Sequence, residues 1–269
     1  MCNSWVRRSA YALLRLAALS CAFAVANAAD VDPNLQKAVA GMHRSEQNKA
    51  RDRYRHPIET LTFFGIKGDM TVVELWPFGG WYTEILAPYL HDRGKFYAAA
   101  SGPGPMASYD AQLKEMMNAH PKVYDKVMVT VLEPGKKDIA PPGTADLVLT
   151  FRNIHNWQRL KMERAVFQEA YRALKPGGIL GVVEHRADPN PTGKPNGYVS
   201  EADAIELIES AGFKLVAKAE INANPKDTKD YPRGVWTLPP NYAEKDKDHD
   251  KYTAIGESDR FTMKFQKPQ

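Results

Sequence analysis

"VVELWPFGGWYTEIL", residues 72 to 86, is the stretch on which the reading of this chain turns. A β-branched run ends in an acid, Glu74. A turn with Gly79 and Gly80 follows, and after it a segment with helical spacing that puts Ile85, Leu86, Tyr89 and Leu90 on one face. Strand, glycine-bearing turn and helix in that order form the arrangement that cradles nucleotides. Free N–H groups at the start of the helix favour a carboxylate there. Trp76 and Phe78 stand where two glycines would ordinarily let a ligand approach the backbone. The sequence therefore poses a question: does an aromatic turn still hold a nucleotide-like molecule, or do its rings fill the crevice as core?

Outward from this stretch, strands and helices alternate. "KFYAAA", "KVMVTVL", "ADLVLT", "ILGVVE", "FKLVAKAEI" and "RFTMKFQ" read as further strands. "ADLVLT" is continuously apolar, as suits a strand buried on both faces. "MASYDAQLKEMMNAH", "LKMERAVFQEAYRAL" and "EADAIELIESAG" read as the intervening helices, the second stopped by Lys175-Pro176-Gly177-Gly178. Repeated β–α units predict a doubly wound, mainly parallel seven-stranded sheet of the Rossmann-like kind, with right-handed crossovers. No helical segment separates the last two strands, so they are expected to pair antiparallel.

The ends and one long connection fall outside this alternation. Arg7, Arg8 and Arg15 accompany the apolar run "LAALSCAFAVA", and Ala26-Asn27-Ala28 supplies a small-residue cleavage site. Residues 1–28 thus read as a cleaved signal peptide, with an uncleaved anchor or a lipoprotein site at Cys21 as alternatives. The expected localisation is periplasmic or secreted, with no stable membrane insertion after cleavage. Both cysteines, Cys2 and Cys21, leave with that segment, so the mature chain has neither a disulfide nor a thiol nucleophile. Its charge becomes 33 basic against 32 acidic residues, about +1, where the full chain has 36 against 32. So small a surplus gives no footprint for a nucleic acid. With 269 residues, 43% hydrophobic, the remainder fits one domain, residues 29–269. Residues 29–66 read as an N-terminal helical layer. Residues 223–259, rich in Pro, Asp and Lys, read as a flap whose flanks pack and whose "EKDKDHDK" is solvated.

"VVELWPFGGWYTEIL", "DLVLTFRNIHNW" and "RALKPGGILGVVEHR" together resemble the class I S-adenosylmethionine (SAM)-dependent methyltransferase superfamily, over roughly residues 57 to 268. More narrowly, "GGWYTEILAPYL", "FRNIHNW" and "GESDRFTMKF" look like a family of exported bacterial proteins described as predicted methyltransferases. The resemblance implies SAM as cofactor, a small-molecule acceptor and a ligand lying over the carboxyl ends of the first four strands. It carries Glu74 to the acid that contacts the methionine end or braces the loop, and Gly79 and Gly80 to the turn beside the helix. Trp76 could cover an adenine or attract a sulfonium through its ring face. The acid that usually grips the ribose after the second strand is absent, and Ser101 is the side-chain oxygen available there.

Candidate chemistry follows the fourth and fifth strands. Asn153 and His155 in "FRNIHNW" offer donors, acceptors and a base titrating near neutrality; Arg152, counted with the cofactor-binding residues, could pair with an acidic substrate group or bond the neighbouring loop. Glu184 and His185 close the fifth strand, and adjacent strand residues point to opposite faces. Their spacing with His155 is not a recognised ligand pattern, so no metal is assigned. Tyr54, Arg55 and His56 lie on the layer expected to cap the ligand, and Asp230, Arg233 and Trp236 lie on the flap. A non-catalytic small-molecule-binding protein with an altered cofactor loop is the alternative reading. A third reading is a hydrolytic enzyme using His155 with Glu184.

Overall fold

The computed structural model describes residues 31–136, 138–188 and 196–269. The signal segment read at residues 1–28 lies outside them. Four short helices open the described chain: α1 (Pro33–Val39), α2 (Glu46–Lys49), α3 (Asp52–Arg55) and α4 (Pro57–Phe64). Asp32 and Ser45 cap the first two by accepting from backbone N–H groups. Pro57 opens α4, and Gly65 ends it in a left-handed conformation.

The alternating core then runs β1 (Thr71–Leu75), α5 (Thr83–Leu90), β2 (Lys95–Ala100), α6 (Ala107–Ala119), α7 (Pro121–Tyr124), β3 (Val127–Val131) and β4 (Ala145–Phe151). It continues with α8 (Ile154–Leu160), α9 (Glu163–Ala173), β5 (Leu174–His185), α10 (Glu201–Glu209), β6 (Lys214–Ala219), α11 (His249–Ile255) and β7 (Arg260–Gln266). The sheet has seven strands in the order β3-β2-β1-β4-β5-β7-β6. β1 to β5 pair in parallel, and β7 is antiparallel to both neighbours. The sequence predicts the antiparallel pairing of the last two strands, although its ground, that no helix separates them, does not hold, since α11 lies between β6 and β7. It does not predict that β7 slots between β5 and β6, a placement decided by its all-apolar inner face: Phe261, Met263 and Phe265 are fully buried.

Burial follows position in the sheet. β1 and β4 are buried along nearly their whole length, whereas the edge strand β6 alternates between half-buried and exposed. Lys175-Pro176-Gly177-Gly178 is where the sequence reading needs correction. α9 stops at Ala173, but the following residues join β5, which runs for 12 residues. Leu174 pairs with Ala145, and after a register shift Ile179 pairs with Leu147. The proline and glycines are accommodated in that irregular opening. Gly181, in the middle of β5, lets the sheet approach α4, since a Cβ there would lie 2.7 Å from both Phe64 and Leu149.

The long segment between β6 and β7 builds a small apolar cluster of its own from Tyr231, Leu238 and Tyr252. A 3-10 turn, Gly234–Thr237, and α11 belong to it. Lys245 to Lys251 face solvent, as the charge run predicts. Among the described residues, no helix is long and apolar enough to cross a membrane.

Candidate functional site

The strand order reverses direction between β1 and β4, which makes their carboxyl tips the point where an open α/β sheet leaves a crevice. A cavity of about 580 Å³ opens there, within the range of small-molecule sites. Glu74, Trp76, Phe78 and Gly79 from the β1 turn form part of its wall, opposite Phe151, Arg152 and His155 from the β4 tip. α6 and its approach add Met106, Tyr109 and Gln112, while the β5 and β7 tips add His185, Glu257, Ser258 and Arg260.

The aromatic turn answers the question its sequence poses. Trp76 and Phe78 have φ values of 46° and 49°, the left-handed region that glycine adopts freely. The backbone thus keeps a glycine-type turn while carrying two large rings, at a cost of roughly 1–3 kcal/mol per residue. Packing and hydrogen bonds offset that cost. The Trp76 ring meets Trp157 at 5.9 Å and Phe78 at 5.8 Å between centroids. Asn153 Nδ2 donates to the carbonyls of Leu75 at 3.0 Å and Trp76 at 3.3 Å. The rings therefore line the crevice without closing it. The buried Trp76 Nε1 has no hydrogen-bond partner.

Several residues predicted from sequence stand behind the wall. Asn153 is buried and braces the turn; it does not line the cavity. Gly80 also lies outside the lining. Its missing Cβ makes room for Met116 and Leu113 of α6, so it serves helix packing. Ser101 is likewise not part of the wall. Its N–H and hydroxyl both donate to Asp110 at 3.0 Å, and the Gly102 N–H donates to the same carboxylate at 2.7 Å. An acid does stand at the tip of β2, but α6 supplies it and the loop backbone consumes it. Gly79 and Glu74 do line the cavity. Glu74 is 2% exposed and accepts from Thr83 Oγ1 at 2.7 Å. Burial, only partly countered by that bond, pushes its carboxyl up to about 8.

His155 faces the crevice, and Glu184 lies behind it, fully buried. Glu184 accepts from His155 Nδ1 at 3.1 Å, from the Ile154 N–H at 2.6 Å and from the His185 N–H at 2.8 Å. The carboxylate thereby fixes the start of α8 and assigns the imidazole proton to Nδ1, leaving Nε2 as an acceptor. Of the two residues that close β5, His185 lines the cavity and Glu184 does not. His185 lines the crevice, with its ring 5.3 Å from His155 and Nδ1 bonded to Ser258 Oγ. Burial, with His155, Arg152 and Arg260 nearby, holds its pKa well below the usual imidazole value. His155, Glu184 and His185 offer ligand atoms within 4.8 Å of one another. Arg152 and Arg260 near His185, and the two backbone N–H groups already bonded to Glu184, oppose a cation at that spot.

The sequence gives little notice of the charged corner beside these histidines. Glu257, at the foot of β7, accepts from Arg51 Nε at 2.6 Å and Arg55 Nε at 3.2 Å, and it also pairs with Arg260. Burial opposes its charge, but Arg55, Arg260, Arg51 and Arg152 together hold it well below the ordinary carboxylate range. Arg51 and Glu257 are 206 positions apart in the chain. The signals present, "RDRYRH" and "GESDR", carry no hint that they meet. Of the flap residues singled out from sequence, Trp236 reaches the cavity and stands edge-on to His155 at 5.9 Å, whereas Asp230 and Arg233 do not line it.

No family model matches the chain, and no curated protein matches it in sequence. Solved structures do. A SAM-dependent methyltransferase from Aquifex aeolicus is 20% identical, with a TM-score of 0.57 over 81% of this chain and 93% of that one. The [4+2]-cyclase SpnF is 16% identical, with a TM-score of 0.56 over 87% and 91% of the two chains. An arsenic(III) SAM methyltransferase from Chlamydomonas reinhardtii is 16% identical, with a TM-score of 0.51 over 88% and 74%. At these identities the likeness establishes architecture. The sheet order, the antiparallel β7 and the crevice between β1 and β4 are those of the class I methyltransferase fold, and this chain has that fold.

Proposed function

We propose that this protein is an exported SAM-dependent methyltransferase that acts on a small-molecule acceptor. The observation that carries this reading is the crevice between the β1 and β4 tips, where a buried acid and an open aromatic wall face an oriented histidine. The residues fit the cofactor. Trp76, Phe78, Met106 and Tyr109 offer an apolar surface to an adenine, and Trp76 Nε1 is a buried donor still lacking an acceptor. When bound, SAM supplies a methyl group on a sulfonium. His155 Nε2 takes the proton that an acceptor hydroxyl or amine gives up, and Glu184 holds the ring in position for it. Glu184 and Asn153 are thus positioning residues, and His155 is the catalytic base. The proton stays on the imidazole, and the fully buried Glu184 carboxylate stabilises the imidazolium that forms. The export reading rests on the sequence of residues 1–28.

Thermal melting with SAM and with S-adenosylhomocysteine tests the proposal. Both should raise Tm in a concentration-dependent way. No shift from either at concentrations on the order of millimolar removes the reading. His155→Ala should keep the S-adenosylhomocysteine shift and lose methyl transfer by roughly 10²–10⁴-fold. Unchanged transfer in that variant would remove the base role. A binding protein on the same fold is the second reading. The bulky Trp76–Phe78 turn and a β2 tip with no free carboxylate favour it, and a retained molecule other than SAM in native mass spectra would support it.

A further inference from the structure

The cavity is lined by Arg51, Arg55, Arg152, Arg159 and Arg260, and its acidic lining groups are Glu74 and Glu257. Glu74 is largely protonated near neutrality, since its carboxyl titrates at about 8. One carboxylate, Glu257, therefore faces five guanidinium groups, and it is already shared among Arg51, Arg55 and Arg260. Two of the arginines are left with donors to spare. Arg55 has a side chain only 2% exposed and bonds Glu257 through Nε, but its two terminal nitrogens are buried with no hydrogen-bond partner. Its guanidinium lies over the Trp81 ring at 4.6 Å, which holds it against one wall of the cavity. Arg152, held at φ 62° at the tip of β4, makes no side-chain hydrogen bond or ion pair among the described residues. A buried guanidinium that keeps its charge and lacks partners is unfavourable until an anion arrives. Arg55 is such a group; Arg152 is half-buried and unpaired among the described residues, and together, lining one cavity, they present the planar forks that suit a carboxylate or a phosphate.

We propose that Arg55 and Arg152 form an oxyanion-recognition site, and that the molecule acted upon carries a carboxylate or phosphate group. The assignment of that molecule as methyl acceptor rests on the methyltransferase reading. The position of Arg152 sets it apart from the apolar surface that suits the adenine, while Arg55 stands over Trp81 beside the β1 turn. Arg152 follows β4, and its neighbours Arg260, Glu257 and His185 belong to the β7 and β5 tips, on the side of the sheet that bears His155. The apolar surface of Phe78, Met106 and Tyr109 lies toward β2. An anion held at Arg55 and Arg152 fixes one end of the acceptor and leaves its nucleophilic group beside the imidazole, which is alignment of the kind that accelerates a two-substrate reaction.

Inorganic phosphate and acetate are the probes, titrated against Tm at constant ionic strength with chloride as the reference salt. Phosphate should give a saturable stabilisation beyond that of chloride, and Arg152→Gln should weaken it by about tenfold or more. The S-adenosylhomocysteine shift should persist in Arg152→Gln. Four results would overturn the proposal. The first is no saturable phosphate or acetate effect in the wild-type protein. The second is an equal effect in Arg152→Gln. The third is loss in that variant of the S-adenosylhomocysteine shift with retention of the shift from 5′-methylthioadenosine, which lacks the amino-acid carboxylate; the arginine would then hold the cofactor. The fourth covers a variant that does not fold: tryptophan fluorescence of the wild-type protein, reporting on Trp81 beneath Arg55, would show no saturable change with phosphate. If phosphate binds and neither adenosyl compound does, the anion site stands and the methyltransferase reading falls.

Discussion

Replacing Glu74 with Gln separates the charge of this acid from its shape. The carboxyl is 2% exposed, accepts one hydrogen bond from Thr83 Oγ1, and titrates at about 8 where an unconstrained glutamate titrates at 4.5. Its folded-state pKa lies above its unfolded one, so the folded protein binds the extra proton across this window. Stability contributed by that proton is fully present below about pH 4.5, falls as pH rises, and is exhausted above about pH 8. Each pKa unit corresponds to about 1.4 kcal/mol, so between about pH 5 and pH 9 the wild-type protein should lose about 4 kcal/mol from this residue alone. Glutamine fills the same space, its amide can donate to the Thr83 hydroxyl, and it does not titrate. Urea unfolding followed by tryptophan fluorescence at both pH values should therefore show Glu74→Gln gaining about 4 kcal/mol on the wild type across the range. Other titrating groups are common to both proteins and cancel in the difference. Parallel pH profiles would show that Glu74 is already ionised in the folded protein, which would refute the assignment of a buried neutral carboxyl to the crevice wall.

Asn153→Ala should lower stability by about 2–3 kcal/mol, because it removes the donor that serves the buried Leu75 and Trp76 carbonyls. A shifted urea midpoint with unchanged slope is the expected form, and a neutral result would mean that the turn finds another partner. Gly181→Ala should cost about 1–3 kcal/mol through overpacking, since its Cβ would lie 2.7 Å from Phe64 and Leu149. In a double-mutant cycle with Phe64→Leu that cost should shrink; strict additivity would place the clash elsewhere.

The main lines of the fold were legible in the sequence because they rest on local periodicity. The apolar run "ADLVLT" marks a central strand, and the helical spacing of Ile85, Leu86, Tyr89 and Leu90 marks a sheet-covering helix; both read correctly without any knowledge of their neighbours. "LKPGG" was misleading for the opposite reason. Its proline and glycines signal a helix stop, and the helix does stop, but the residues after it join β5 because Ala145 of the adjacent strand pairs with Leu174. Such pairing is a property of the sheet, and no window of sequence contains it.

The candidate site divides along the same line. The sequence by itself determined which residues close the strands: Glu74, Arg152, Glu184 and His185 stand at strand ends, and His155 opens the helix after β4, because strand length and alternation put them there. Only the tertiary structure decided which of them face the crevice. Asn153 and Gly80 turn away from it, Ser101 is claimed by Asp110 from the next helix, and Glu184 retreats behind His155. The tertiary structure alone also brought Arg51 and Arg55 from the first helices to Glu257 and Arg260 at the last strand. Charge pairing across 206 positions leaves no local trace, because the interaction depends on distance in space while sequence records only order along the chain.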